Sequence, residues 1–418
     1  MASCAVSVMN NNEPWKIRDG RRQPKIGIYT GQGASHSWLW FVETFDRLGF
    51  YDLRFLTETH LRSDGLERCD VLAMSGGDTF AIAKGLGLEG AEKLKRFISN
   101  GGLYIGSCAG AYLPLHSSKE HLNLFNFVPA RIANLTQTLP EAQRLKEKFC
   151  TAYGCAYIFH PVREAVRLTT NGFAPFKKAP SLDAPLYGGP PLIAVGSAQV
   201  LATYSGFTEK TVFLVDEKLA SDTVLGKAAV IRQKMGNGYL HLYGPHFEHP
   251  RFTVANQLLT DAMLWDIRHN PIEVADNASD QVVLSGEACR NLLKDIKREI
   301  SNARIVAVGL ETLPVQWKIG SKVYETAKIR EFIEPVWQRI HHLERLNRIS
   351  LLKGQDARLL QHASETTTLL RDLQRGVKRE RDTVHTARRV FKSLNHTSTL
   401  FLEIYFRTKL NTLSQTHP

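Results

Sequence analysis

From Lys25 to about Asn270 the chain alternates short apolar runs with stretches of helical spacing, and this order constrains the fold more than any other feature. "KIGIYTG" is a strand ending in glycine. "SWLWFVETFDRLGF" spaces Trp38, Phe41, Val42, Phe45 and Leu48 along a helix and stops at Gly49. "YDLRFLT" and "CDVLAMSGG" are the next two strands. "DTFAIAKGLGLEGAEKLKRFISNGG" is helical with a glycine break, and "LYIGS" is the fourth strand. This order predicts an α/β fold: a mostly parallel sheet with helices on both faces. Ligands in such sheets lie beyond the carboxyl ends of the strands, so loops 31–37, 75–79 and 107–111 should share one rim. Residues 120–190 are less regular, and "APFKKAPSLDAPLYGGPPL" reads as loops over the sheet. "PLIAVGS", "QVLATYS" and "AAVIRQKMGNGYLHLYG" read as late strands, with a tight turn at Gly236-Asn237-Gly238.

Beyond about residue 275 the pattern changes to an α-helical region, 275–418. "GEACRNLLKDIKREISNA" and residues 326–350 read as amphipathic helices. From Leu359 to Leu394 a seven-residue rhythm runs through Leu359, Ala363, Leu370, Leu373, Val377, Val384, Ala387, Phe391 and Leu394. Thr366 and Glu380 interrupt it. It fits a coiled coil or a helical hairpin over 359–394, and a helix packed on its own domain fits equally well.

With 418 residues the chain has room for two or three domains. Residues 1–24 read as a flexible leader without signal-peptide character, and no apolar stretch is long enough to span a bilayer. The net charge of +12 comes mostly from residues beyond about 280. "GVKRERD" and "TARRVFK" mix bases with acids on a helix, which favours a solvated face over a nucleic-acid surface. Six cysteines make no disulfide framework in a chain this long, and free thiols in a reducing cytoplasm are the simpler reading. Cys150 and Cys155 have no second Cys or His pair with zinc-type spacing. No metal and no cofactor is expected.

The chemistry concentrates in three short stretches. In "NGGLYIGSCAGAYLPL" a strand runs into Gly106-Ser107-Cys108-Ala109-Gly110. The glycines would let a sharp turn present Cys108 at the start of a helix, where backbone N–H groups favour a thiolate. The Ala109 N–H could face a developing oxyanion. Close helix-on-sheet packing would use the same small residues. "YLHLYGPHFEHP" then supplies His246 as base and Glu248 as the carboxylate that orients it, two residues apart in extended chain. His241, inside the strand, and His249, beside Pro250, are rival bases. Ser75-Gly76-Gly77-Asp78 could point backbone N–H groups into the site, and Asp78 or Thr79 could equally cap the following helix. Gly31-Gln32-Gly33-Ala34-Ser35 could hold an anion, and a plain loop is the commoner use of such a turn.

Together "GSCAGAY", "MSGGDTF" and "GPHFEHP" resemble the class I glutamine amidotransferase-like superfamily. The nearer resemblance is to the domain at the N-terminus of eukaryotic biotin–protein ligases, on "IGIYTGQGAS", "GGLYIGSCAGAYL", "PLYGGPPL" and "LATYS" ahead of "GNGYLHLYGPHFEHP". It covers residues 25–270. It implies a flavodoxin-like sheet with Cys108 as nucleophile, His246 as base and Glu248 as orienting acid. Gly76, Gly77, Asp78, Ala109, Tyr112, Tyr187 and Gly188 would be oxyanion or substrate contacts. Two departures bear on function. Glutaminases of the superfamily carry His-Gln where Ala111 and Tyr112 stand, and no Gly-Arg-rich adenylate loop of a ligase catalytic domain is present. The expectation is a cytoplasmic cysteine hydrolase acting on an amide or small peptide. The alternative is a silent ligand-binding module whose helical tail mediates self-association or binds a protein partner.

Overall fold

The computed structural model describes residues 23–139, 141–144, 157–269, 281–320 and 322–416. Most of the leader expected at 1–24, the Cys150–Cys155 stretch and the domain junction near 270–280 lie outside the described residues. Gln23 is packed: its side-chain amide donates to Gly49 O at 3.1 Å and its side-chain oxygen accepts from Tyr51 N at 2.8 Å.

Five parallel strands form the centre: β1 (Ile26–Tyr29), β2 (Leu53–Leu56), β3 (Val71–Met74), β4 (Leu103–Ser107) and β9 (Gly238–Tyr243), in the order β2-β1-β3-β4-β9. Antiparallel strands continue this sheet as β8 (Ala228–Met235), β7 (Gln199–Phe207), β5 (Ala165–Thr170) and β6 (Ser181–Pro185), and two short strands complete its eleven. The expected mixed α/β architecture with a parallel central sheet and a helical C-terminal region is therefore the one adopted. Alternation along the strands explains the layering. Ile26, Ile28, Val71, Ala73, Leu103 and Ile105 share one core with α1 (Trp38–Arg47) and α3 (Thr253–His269). Tyr29, Leu72, Met74 and Tyr104 share the other with α2 (Thr79–Ser99). Gly87, the break read in α2, sits at φ 58° between two helical segments.

One expectation fails. The Pro- and Gly-rich stretch read as loops contains β6, and β5 lies in the segment read as irregular. β6 lies at the sheet edge, where Pro185 has no second ladder to donate to. Pairing with β5, not local pattern, makes it a strand.

The C-terminal region is a bundle of four helices, α4 (Gly286–Glu311), α5 (Ala327–Leu346), α6 (Gln355–Lys378) and α7 (Val384–Thr416). β10 (Gln281–Ser285) pairs with β13 (Arg348–Leu352), and β11 (Gln316–Ile319) with β12 (Lys322–Glu325) as a hairpin. The seven-residue rhythm is split between α6 and α7, which pack antiparallel within the bundle. Thr366, the first interruption, is buried and its hydroxyl meets Ser393 Oγ at 2.8 Å and Thr397 Oγ1 at 2.9 Å. Glu380, the second, lies in the connector at φ 54°.

The bundle is fastened to α1. Arg339 is 5% exposed, and its guanidinium reaches Glu43 at 2.6 Å and Asp46 at 2.8 Å. The buried Trp38 donates through Nε1 to Asn395 Oδ1 at 3.0 Å, and Asn395 donates to Thr30 O at 2.9 Å. No described helix is long and apolar enough to cross a membrane.

Candidate functional site

Register brings the site together. β4 and β9 are parallel neighbours with Ser107 opposite Tyr243, so the residues that follow each strand emerge side by side. Cys108 comes directly after β4, at φ 51° and ψ −108°, a backbone that L-residues rarely adopt. Its N–H donates to Tyr243 O at 3.0 Å, which fixes the turn against β9. The glycines serve close approach: a Cβ at Gly106 would fall on the Gly110 carbonyl, and one at Gly110 on the Met74 carbonyl. Both the close packing and the placement of the buried cysteine at the cavity wall follow from the same turn.

After β9 the chain turns through Pro245, and His246 N–H donates to Pro185 O at 2.8 Å. His246 Nδ1 lies 2.7 Å from Glu248 Oε1. Its ring and the Cys108 side chain both border Gly76 and face the same cavity, close enough for each to act on the other's proton. Glu248 is completely buried, a position a carboxylate occupies only when fully bonded. Ser75 Oγ donates to Oε1 and Ser107 Oγ to Oε2, each at 2.9 Å. Ser37 Oγ backs Ser75 at 2.9 Å. Both carboxylate oxygens are thus held by hydroxyls from the ends of β3 and β4.

This arrangement sets the charges. Burial works to raise the Cys108 thiol, but the hydrogen bond and charge of His246, with the charge of Lys322, hold it below the ordinary thiol value. Burial works to strip the proton from His246, but the Glu248 charge and the bonds to Cys108 and Glu248 keep it on up to about 10. Cys69 provides the contrast, since burial pushes it up to about 12. Cys289 is also raised by burial.

The sequence-derived residues divide by position. Cys108, His246, Gly76, Gly77 and Tyr187 line a cavity of about 700 Å³. Glu248 lies behind His246. Gly76 borders both partners, since a Cβ there would come 3.0 Å from the His246 ring and 3.6 Å from Cys108 Cβ. The Ala34–Gly77 bridge uses Ser35 N–H to Gly76 O and Asp78 N–H to Gly33 O, leaving the Gly77 amide out of the bridge. Ala109 opens a helical turn, where N–H groups have no intrahelical acceptor. Asp78 caps α2 by accepting from Ala81 N at 3.1 Å and stands away from the cavity wall. Tyr112 and Gly188 also stand behind that wall: the Tyr112 hydroxyl donates to Gly188 O at 3.2 Å and accepts from Asn134 at 3.0 Å. Tyr112 therefore fixes the loop carrying Tyr187, whose carbonyl lies 3.9 Å from Cys108 Sγ.

Of the rival bases, His241 is fully buried with Nε2 2.6 Å from Asp266 Oδ2, inside an ion pair with Arg232. His249 lines the cavity, and burial pushes it down to about 3. The Gly31–Ser35 turn accommodates an anion of the chain itself: Gln32 N–H donates to Glu58 Oε2 at 2.8 Å. Sequence reasoning missed Trp40, whose ring meets His246 at 5.0 Å and His249 at 4.5 Å between centroids. Its only signal is a tryptophan off the apolar stripe of α1. It also missed Arg163, Arg251 and Lys322, which converge from separate segments. Among the described residues no cluster of His, Cys, Asp and Glu could hold a metal ion.

A strand-elbow cysteine backed by an imidazole and a buried carboxylate, on a parallel sheet, defines the class of site. Residues 24–120 match the family model described as biotin-protein ligase, N terminal. A comparison with curated proteins finds no match. Solved structures similar to the chain include a beta-galactosidase from Bacillus circulans sp. alkalophilus, at 14% identity and a TM-score of 0.32, covering 63% of this chain and 34% of that one. Another is an exo-beta-1,4-mannosidase from Opitutaceae bacterium strain TAV5, at 11% identity and a TM-score of 0.32, covering 61% of this chain and 37% of that one. The chain spans about a third of the length of these structures.

Proposed function

We propose that the protein is a cytoplasmic amidotransferase-like cysteine hydrolase that cleaves an amide or small peptide through Cys108, His246 and Glu248. The observation that carries this reading is the fully buried Glu248, bonded at 2.7 Å to the imidazole that meets Cys108 at its strained elbow. A buried carboxylate held so tightly against a histidine makes sense where an imidazolium must be kept oriented.

In the first half-reaction the Cys108 thiolate attacks the carbonyl carbon and the carbonyl oxygen becomes an oxyanion. In this reading the amides of Gly77 and Ala109 receive it. His246 gives its proton to the leaving nitrogen as the C–N bond breaks, and a thioester remains. In the second half, water attacks the thioester and His246 takes its proton. The C–S bond breaks, the acid departs, and the thiolate–imidazolium pair is restored. Glu248 holds the ring by Nδ1 throughout.

The test is a screen of small amides and peptides, read by product formation and by intact mass of an acyl adduct on Cys108. Cys108→Ala is expected to lose both while keeping the circular dichroism of the parent. Hydrolysis at the parent's rate in Cys108→Ala would rule the reading out. A second reading is favoured by the covering of the cavity by the β11–β12 hairpin: ligand retention without turnover. A compound that raises the melting temperature equally in the parent and in Cys108→Ala, with no acyl adduct, would select it.

A further inference from the structure

The cavity is not built by the α/β region alone. The β11–β12 hairpin of the helical region forms one of its walls, with Lys322 and Tyr324 on it, and Lys328 follows at the start of α5. The hairpin is anchored from behind. Trp317 is 1% exposed, and its Nε1 donates to Thr383 Oγ1 at 2.9 Å. The Tyr324 ring lies 4.4 Å from that of Phe391 on α7. Ile319 pairs with Lys322 across the ladder, so the lysine leaves the hairpin from a fixed position.

The charged groups facing this space are unequal in partners. Among the acids, Glu164 Oε2 accepts from the Tyr187 hydroxyl at 2.8 Å, Glu331 lies 3.7 Å from Lys328, and Glu325 is exposed on the hairpin. Among the cations, Arg163 stacks on Tyr187 and Lys328 has Glu331. Lys322 and Arg251 form no ion pair with a carboxylate among the described residues. Among the described residues the Arg251 guanidinium reaches the Tyr187 hydroxyl, at 3.5 Å. Two uncompensated cations from two different regions thus face a cavity that also holds the nucleophile. Lys322 is half-buried and Arg251 is exposed; a half-buried cation without a counter-charge is stabilised when an anion arrives.

Building on the hydrolase reading, we propose that the helical region completes the substrate site, and that Lys322, assisted by Arg251, selects substrates carrying an anionic group near the scissile carbonyl. The class is a small amide of a carboxylate- or phosphate-bearing acid. The hairpin supplies specificity from outside the α/β region, while the region below supplies the chemistry.

The experiment uses two reagents of nearly equal size on the intact protein: iodoacetate, an anion, and iodoacetamide, its neutral counterpart. In both, the Cys108 thiolate displaces iodide, so the ratio of the two rates cancels any change in thiolate content. The ratio is normalised to that of free cysteine. In the parent, iodoacetate is expected to be favoured by about tenfold, the lower end of what a charged cleft achieves, because acids share this one's wall. Lys322→Met should remove most of that preference and Arg251→Met a smaller part, while Lys322→Arg keeps it. A ratio equal to that of free cysteine in the parent, or unchanged in Lys322→Met, overturns the proposal. The iodoacetamide rate alone reports activation of the thiol. A fast iodoacetamide reaction without anion preference therefore defeats the selectivity and leaves the hydrolase reading standing. A slow one defeats the reading beneath it.

Discussion

The two regions of the molecule present their chemistry in opposite ways. In the α/β region, neighbouring strands end side by side, and each contributes a run of consecutive residues to one rim: Ser75–Gly77, Ser107–Ala109 and His246–Glu248. In the helical region the one short run facing the cavity, among the described residues, is Lys322–Glu325, and the contacts that fasten the region are far apart in sequence. Arg339 meets Asp46 across 293 positions, and Asn395 meets Thr30 across 365. A parallel sheet concentrates function at strand ends because the backbone register does the assembling. A helix bundle assembles through side-chain packing, so its contribution is spread over the chain.

The largest effect expected on stability comes from the contact joining the regions. Arg339→Leu leaves Glu43 and Asp46 partly buried without their counter-charge and should cost about 3 kcal/mol in urea unfolding. A loss below about 1 kcal/mol would mean that the regions meet as two exposed surfaces do, and the comparison would lose its basis. Next is Gly110→Ala, whose added methyl meets the Met74 carbonyl behind the elbow. It should cost about 2 kcal/mol and slow Cys108 alkylation, because the elbow must shift. An unchanged alkylation rate would separate the packing of the turn from its presentation of the cysteine.

The smallest effect lies in the helical region. Burial raises Glu403 to about 7, against the opposing charges of Arg407 and Arg358. Its folded value is above its unfolded one, so the protonated form favours folding. That contribution is complete below about pH 4.5 and is lost as the pH rises through about 7. Glu403→Gln should therefore raise the melting temperature by about 1–2 °C at pH 8 and leave it unchanged near pH 4. The opposite pH trend would show that the arginines, not burial, govern the site.

The same contrast explains what the sequence revealed. The first four strands, the late hairpin turn and the Cys108, His246 and Glu248 positions are legible because each rests on a few adjacent residues with a local physical demand. β6 is not, because its Pro-rich pattern resembles a loop and only its neighbour β5 makes it a strand. Asp78 and Tyr112 are legible as site-proximal, but their side chains are used for capping and for holding Gly188. Arg251 and Lys322 carry no local signal at all, and Trp40 carries only its place off the apolar stripe of α1. They become neighbours of Cys108 only when α1, the turn after β9 and a hairpin of the other region are brought together.

The central claim is that His246 makes Cys108 a thiolate in a place where burial alone would keep it a thiol. The most direct measurement is the alkylation rate of Cys108 by iodoacetamide against pH, read by mass spectrometry in the parent and in His246→Ala, with Cys69 and Cys289 as internal references. In the parent, the rate should be high at neutral pH, with a midpoint below that of an ordinary thiol. In His246→Ala the midpoint should rise above it, as it does for buried Cys69, and the rate at pH 7 should fall by about a hundredfold. A Cys108 midpoint at the ordinary thiol value in the parent, unmoved by His246→Ala, would contradict the account.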